Sequence, residues 1–274
     1  MNQAEADMII LFILLLAVFQ VTVSSYLIEN PDYYQLDAYT WETDDFRAMR
    51  LGETAAGEPF LDLDMLTTLM VEHDYDLLDA EDLSYDNSRL LKSRPVEYQK
   101  LKNAYGAVFS DLKYFPVPLS KDPDTPDVTF ENGWGDQRTY GGERQHEGCD
   151  IMGTERERGF YPVVSMTDGA VEKVGWLEQG GWRLGIRAPA GAYFYYAHLY
   201  GYSRDWKEGD LVRAGELLGF MGDTGYSAVE GTVGNFPVHL HLGIYLKTDH
   251  YDEMSVNPYW ILEYMKKKRL TADY

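Results

Sequence analysis

Five residues of this chain combine types and spacings that could hold a metal ion and move protons: His146, Asp150, His198, His239 and His241. In Val238-His239-Leu240-His241-Leu242, the two-residue period of a strand sets both imidazoles on one face. Val238, Leu240 and Leu242 then take the other face, where they can enter a core. His146 and Asp150 are an even number of positions apart, so an extended segment puts them on a common face too. Gly148 between them argues against a helix. Two imidazoles and one carboxylate make the ligand set of a catalytic zinc site, with the fourth position left for water. Such an ion lowers the pKa of that water towards ~7 and polarises a carbonyl. Cys149 has an odd offset from both His146 and Asp150, which turns it to the opposite face as a small buried residue. Each pattern alone is weak, since a His-x-His pair can lie on any surface and His-x-x-x-Asp arises by chance. The weight comes from four of the six histidines falling in these contexts within one part of the chain. Spacing does not say which of the four histidines are ligands.

The elements that must position these residues are short strands. From Tyr114-Phe115-Pro116-Val117-Pro118 onward, prolines and glycines multiply, and runs rich in aromatic and β-branched residues alternate with turn signals. Strands are expected around Ala170 to Val174, Trp182 to Arg187, Tyr193 to His198 and Val238 to Leu246. Short strands without intervening helices imply an antiparallel sheet, sandwich or barrel. A terminal helix is expected from Pro258 to about Lys268, whose Lys266-Lys267-Lys268-Arg269 run suits a solvated helix end.

The preceding part, residues 26–113, reads helical and acidic. Leu63, Leu66, Leu69 and Met70 have helical spacing, and a second helix is expected from Val96 to Phe109, just after Pro95. No cluster of chemically useful side chains lies there. His73, alone among acids, reads as a surface residue, and His250 as an exposed loop residue without a role. Residues 1–25 contain an apolar run, Met8 to Val23, that reads as a signal peptide or a membrane anchor. At ~1.5 Å per residue it spans about 24 Å, short of a ~30 Å hydrocarbon core. No basic residue precedes Arg47, which departs from both patterns.

Composition narrows the classes further. Over 274 residues, 45% are hydrophobic and 14% aromatic, enough for a real core. The formal charge of −21 repels phosphate backbones, so nucleic acid is excluded as a partner. A single cysteine excludes an intramolecular disulfide and the small disulfide-stapled class.

Gly141-Gly142-Glu143-Arg144-Gln145-His146-Glu147-Gly148-Cys149-Asp150-Ile151 resembles the first metal motif of the lysostaphin/LytM-type zinc endopeptidases. Tyr196-Ala197-His198-Leu199 resembles that family's middle histidine motif. Gly222-Asp223-Thr224-Gly225-Tyr226-Ser227, followed by His239-Leu240-His241-Leu242, resembles its closing motif, and Asn257-Pro258-Tyr259 is similar to the segment that ends the domain. The similarity covers roughly residues 114 to 265. One departure is the stretch from Ala228 to Pro237, longer than in compact members, which bears on substrate preference.

The resemblance implies that His146, Asp150 and His241 bind one Zn2+. It also implies that His239 acts as general base and that His198 hydrogen-bonds the water or the developing oxyanion. The implied fold is a mainly β catalytic domain over residues 114–274, a small antiparallel sheet with an open groove, preceded by an α-helical segment. The implied activity is zinc-dependent hydrolysis of peptide bonds in peptidoglycan stem peptides or cross-bridges by an exported enzyme, secreted or anchored at the outer face of the cytoplasmic membrane or in the wall. Two other readings compete: a non-catalytic envelope scaffold or activator of the same fold, and a sporulation or export-complex component that works through its helical part. For that part, residues 26–113, a spacer, a surface for an envelope protein partner and a lid over the groove are all compatible with the sequence.

Overall fold

The computed structural model describes residues 3–30, 35–153 and 155–274. Its helices are α1 (Gln3–Glu29), α2 (Asp44–Arg47), α3 (Gly52–Gly57), α4 (Leu63–Glu72), α5 (Ser88–Ser93), α6 (Pro95–Phe109) and α7 (Tyr259–Met265). The first strands are β1 (Leu119–Ser120), β2 (Thr129–Phe130), β3 (Gln137–Arg138), β4 (Arg144–Gln145), β5 (Cys149–Met152), β6 (Pro162–Val164) and β7 (Gly169–Leu177). There follow β8 (Gly181–Arg187), β9 (Tyr193–Tyr202), β10 (Leu211–Val212), β11 (Leu217–Met221), β12 (His239–Leu246), β13 (Met254–Val256) and β14 (Thr271–Ala272).

A ten-stranded sheet runs in the order β10-β7-β8-β9-β12-β5-β2, with β11 joining β9 to β6 and β13 pairing β12. All its pairings are antiparallel. This matches the expected mainly β domain. A separate two-stranded pair of β1 and β14 is parallel, and β3 with β4 forms its own antiparallel hairpin.

Strand β12 is the axis of the arrangement, lying between β9 and β5. Its alternation is as the sequence predicts. Leu240, Leu242 and Ile244 are fully buried on one face, and His239 and His241 stand on the other. At ~0.8 kcal/mol per buried CH₂, three such aliphatic side chains fix the register firmly, because a slip of one residue would exchange leucines for histidines.

The helices form for local reasons and then brace the back of this sheet. The Asp62 side chain caps α4 by accepting from the backbone N–H groups of Asp64 and Met65. Pro95 opens α6 at a position where a missing N–H costs nothing. The two helices are tied by Thr68 and Tyr98, whose hydroxyls are 2.9 Å apart. Phe46 packs on Tyr105 with ring centroids 5.0 Å apart. Composition changes near residue 113, where α6 gives way to strands, yet one hydrophobic core runs through both parts, from Leu36 and Phe46 to Leu240 and Ile261.

Polar contacts reinforce the junction. The Arg47 guanidinium donates to Ser255 O at 2.9 Å and to Ser255 Oγ at 3.1 Å, and the Arg47 carbonyl accepts from the Asn257 N–H. His250, given no role from sequence, pairs with Glu42 at 2.7 Å and meets the Tyr39 ring edge-on at 4.9 Å. His73 is exposed, as expected.

Helix α1 extends beyond the Met8–Val23 run. It is 27 residues long, contains an 18-residue stretch of mean hydropathy 2.5, and has no buried residue. At ~1.5 Å per residue it is about 40 Å long, and by length and composition it can cross a ~30 Å hydrocarbon core.

Candidate metal centre and groove

Three ligand-type atoms converge on the polar face of β12. His146 Nε2, Asp150 Oδ1 and His241 Nδ1 lie 3.0 Å from one another in each pairing. The sheet register brings two of them together, because His241 on β12 faces Asp150 on β5 directly. His146 arrives differently from expectation. The chain is not one extended strand from 146 to 150: β4 ends at Gln145, β5 begins at Cys149, and His146 sits in the connection. Cys149 is fully buried on the opposite face, and burial raises its thiol well above the ordinary range.

The triangle has a simple chemical meaning. The His146 Nδ1–H donates to the Gly133 carbonyl at 2.8 Å, so Nε2 turns a lone pair inward. Three acceptor atoms at equal separation cannot all be satisfied by protons shared between them, but a cation at their centre satisfies all three. Zinc at ~2.0–2.1 Å from nitrogen and oxygen sets neighbouring donors roughly 3.3 Å apart in a tetrahedron, close to the spacing here. The residues present therefore fit a zinc ion, with the fourth side facing the groove.

Surrounding groups hold the ligands in place. Arg138 Nη2 donates to Asp150 Oδ2 at 3.2 Å, leaving Oδ1 for the triangle. The same nitrogen is 3.0 Å from His146 Nδ1; with that nitrogen's proton committed to Gly133, the bond to Asp150 is the one that counts. Such outer partners orient metal ligands and fix imidazole tautomers. The Gly133 loop is pinned in turn by Asn132, whose Oδ1 accepts from Asn257 Nδ2 at 3.1 Å. Gly148 is required by contact: a Cβ there would lie 2.5 Å from His241 Cε1 and 2.6 Å from the Leu242 carbonyl.

His198 and His239 stand beside the triangle, with ring centroids 4.7 Å apart. Each donates its Nδ1–H to a backbone carbonyl at 2.8 Å, His198 to Thr224 and His239 to Pro237. Both Nε2 atoms therefore keep a lone pair free to accept a proton. His239 Nε2 is 3.7 Å from Asp150 Oδ1, next to the converging ligands. His198 has φ +62°, an unusual backbone for a residue with a side chain and one that clusters at functional sites. The strain is held by two bonds: the His198 N–H donates to Gly180 O, and Thr224 fixes the ring. Thr224 is locked by its hydroxyl, which donates to Leu199 O at 2.8 Å and accepts from the Trp182 N–H at 3.1 Å.

The electrostatics separate the carboxylate from the imidazoles. Burial alone would raise the Asp150 carboxyl, but hydrogen bonds from His146 and His241 outweigh it and hold the group far below the usual carboxylate range. Burial lowers His198 well below its ordinary value, helped by repulsion from His239 and His241. Burial also lowers His241, partly offset by Asp150. At neutral pH Asp150 is thus ionised and the His198 and His241 rings are neutral, the protonation states that a carboxylate and an imidazole need beside a metal.

The five residues singled out from sequence are therefore brought together, inside a groove of about 510 Å³. Tyr193, Tyr195, Tyr226 and Tyr245 contribute aromatic walls, and Arg138, Arg144 and Arg183 contribute positive charge. Its lining begins at residue 138, so among the described residues no part of the N-terminal helices covers it. Sequence reasoning missed Arg138 and the Gly133, Thr224 and Pro237 carbonyls. Thr224 lay inside a motif already noted, but a backbone carbonyl leaves no mark in the residue pattern.

The chain matches Peptidase family M23 over residues 144–258. It is 41% identical over 178 residues to the L-Ala--D-Glu endopeptidase of Bacillus subtilis, covering 63% of this chain and 51% of the relative. The chain thus spans about half the length of that curated relative. The crystal structure of a proposed glycyl-glycine endopeptidase lytM from Ruminococcus gnavus superposes with a TM-score of 0.76 at 39% identity. That match covers 88% of this chain and 97% of the other. The catalytic domain of lysostaphin from Staphylococcus simulans is 27% identical, covering 50% of this chain and 92% of that domain, with a TM-score of 0.39.

Proposed function

The chain belongs to peptidase family M23, the LytM-type family, and from that membership we propose that it is a zinc-dependent endopeptidase that hydrolyses peptide bonds of peptidoglycan. The single observation that carries the reading is the equilateral triangle of His146 Nε2, Asp150 Oδ1 and His241 Nδ1, with two further imidazole lone pairs alongside. We assign those three residues as ligands of one Zn2+. The ion would supply Lewis-acid polarisation of the scissile carbonyl and acidification of the attacking water.

The chain's own groups do the remainder. His239, beside Asp150, takes the proton of the attacking water on Nε2, and its Nδ1–H bond to Pro237 stabilises the charge that develops on the ring. His198, neutral because it is buried, accepts a hydrogen bond from the water at Nε2 and relays a proton to the leaving amine. The open, tyrosine-walled groove suits an extended, flexible peptide. The Bacillus and Ruminococcus relatives are named for L-alanyl–D-glutamyl and glycyl-glycine bonds respectively, and these are the two bond classes considered for this chain. A complete set of ligands and accessory histidines speaks against a non-catalytic scaffold. We assign α1 as an export signal or membrane anchor that places the catalytic part outside the cytoplasmic membrane, on its length and hydropathy. The N-terminal helices serve to brace the back of the sheet rather than to cover the groove.

The test is release of new amino termini from purified peptidoglycan by the full chain, followed by labelling and mass spectrometry. Release that stops with a chelator and returns with zinc supports the reading. Zinc-loaded protein that frees no termini from walls of either peptide type would overturn it.

A further inference from the structure

The acids and bases of this chain are unequal, 45 against 24, so a guanidinium that needs a carboxylate partner can readily find one. Arg187 takes Glu172 through two bonds of 2.6 and 2.8 Å, Arg269 takes Asp127 at 2.7 Å, and Arg138 takes Asp150 at 3.2 Å. Two arginines in the groove do not. Arg183 and Arg144 both line it, and neither forms an ion pair with any carboxylate among the described residues. Glu147 and Glu253 line the same groove, yet among the described residues neither forms an ion pair with Arg183 or Arg144. Arg183 Nη1 and Arg144 Nε are also buried without any hydrogen-bond partner. Arg144 does donate through Nη2 to the Tyr226 hydroxyl at 3.3 Å, but a buried guanidinium nitrogen with no acceptor loses solvation with nothing in return, which is uncommon unless a ligand completes it.

The sheet sets where that ligand lies. His241 on β12 faces Ala197 on β9, and Arg183 on β8 lies opposite the irregularity of β9 that contains Ala197 and His198. Arg183 is therefore two strands across from the triangle, roughly 10 Å between Cα positions at ~4.8 Å per strand. The small Ala197 side chain between them leaves the floor open. A peptide whose scissile carbonyl sits over the triangle thus carries a group on the residue beside that bond towards Arg183. The guanidinium fork is made for a carboxylate, which it can bind through two parallel bonds.

We infer that Arg183, with Arg144 adding charge, forms a carboxylate-binding subsite, so that the preferred peptide has a free acidic group on the residue next to the cleaved bond. This rests on the peptidase reading above and decides between its two bond classes: a glutamyl residue with its α-carboxylate free fits the subsite, and a run of glycines leaves the guanidinium unpaired.

The experiment uses the zinc-loaded full chain and two stem peptides that differ only in whether the glutamyl α-carboxylate is free or converted to the amide. Wild type is expected to favour the acid by about 10–100-fold in kcat/KM. In Arg183→Gln that ratio falls to near one, while Arg183→Lys, which keeps charge but loses the fork, retains part of it. Equilibrium binding of both peptides to His239→Ala, with and without Arg183→Gln, reads the subsite independently of turnover. Acid-selective binding that vanishes with Arg183→Gln supports the subsite even where no peptide is cut, in which case it is the peptidase reading that fails. Equal use and equal binding of acid and amide by wild type, or a preference that survives in a folded Arg183→Gln, overturns the inference.

Discussion

Replacing Gly148 by alanine tests whether backbone packing, and not only ligand identity, builds the metal site. The new Cβ would lie 2.5 Å from His241 Cε1, 2.6 Å from its Nε2 and 2.6 Å from the Leu242 carbonyl. Ordinary contact begins near 3.4 Å, so the imidazole has to retreat by about 0.9 Å or the strand pair has to open. Opening is resisted because Leu242 is paired in register with Cys149 on one side and Tyr196 on the other. A shift of this size exceeds the ~0.5 Å within which a site keeps its productive geometry. Zinc affinity is expected to fall about 100-fold, with overpacking adding roughly 1–3 kcal/mol of destabilisation. Competition against a chromophoric chelator reads the first quantity, and urea unfolding with and without zinc reads the second. A Gly148→Ala protein with wild-type zinc affinity and turnover would refute the reasoning, since the clash involves backbone as well as a ring.

Three further outcomes follow from the same geometry. His239→Ala should keep its zinc and lose turnover by about 10²–10⁴-fold; loss of zinc by this variant in a metal assay would make His239 a ligand instead. Thr224→Val removes the hydroxyl that joins Leu199 O to the Trp182 N–H. Two buried backbone groups left unpaired cost about 1–3 kcal/mol each, and the Thr224 carbonyl that holds His198 loses its brace, so the urea midpoint and turnover should fall together; a variant as stable as wild type would contradict this. With zinc chelated, stability should be constant above about pH 6.5 and decline as pH falls below it. His198 and His241 have depressed values when folded, so the unfolded chain takes up protons that the folded chain refuses, at ~1.4 kcal/mol per pH unit for each ring. Urea midpoints at pH 7 and 5.5 measure this, His198→Gln should reduce the slope, and a flat profile would show that the rings titrate normally.

The sequence carried the parts of this site that depend on periodicity. The two-residue repeat of β12 separates His239 and His241 from Leu240 and Leu242 whatever the tertiary context. The Asp62 cap and Pro95 likewise mark where α4 and α6 begin. What depends on register between distant strands was not readable. Arg138 reaches Asp150 through the β3–β4 hairpin, and Arg183 faces the groove because β8 pairs β9 across an irregularity. Neither position differs from a surface arginine in the residue pattern. The attachment of the N-terminal helices was also hidden. Their apolar faces announced that something would cover them, but only the fold shows that the back of the same sheet does so, with Arg47 holding Ser255 and Asn257 across more than 200 positions of chain. The lid suggested by the acidity of that region finds no counterpart in the groove lining.

The most direct test of the account is zinc stoichiometry by native mass spectrometry on the full chain and its Asp150→Asn variant, with amino-terminus release from peptidoglycan measured on the same preparations. Asparagine keeps the shape of the side chain and removes the charge that the two imidazoles face. The account predicts one zinc per chain and release of peptide termini for wild type, with both lost in the variant. Wild-type protein that folds, binds no zinc and still releases termini would contradict it, and so would an Asp150→Asn protein that keeps both its metal and its activity.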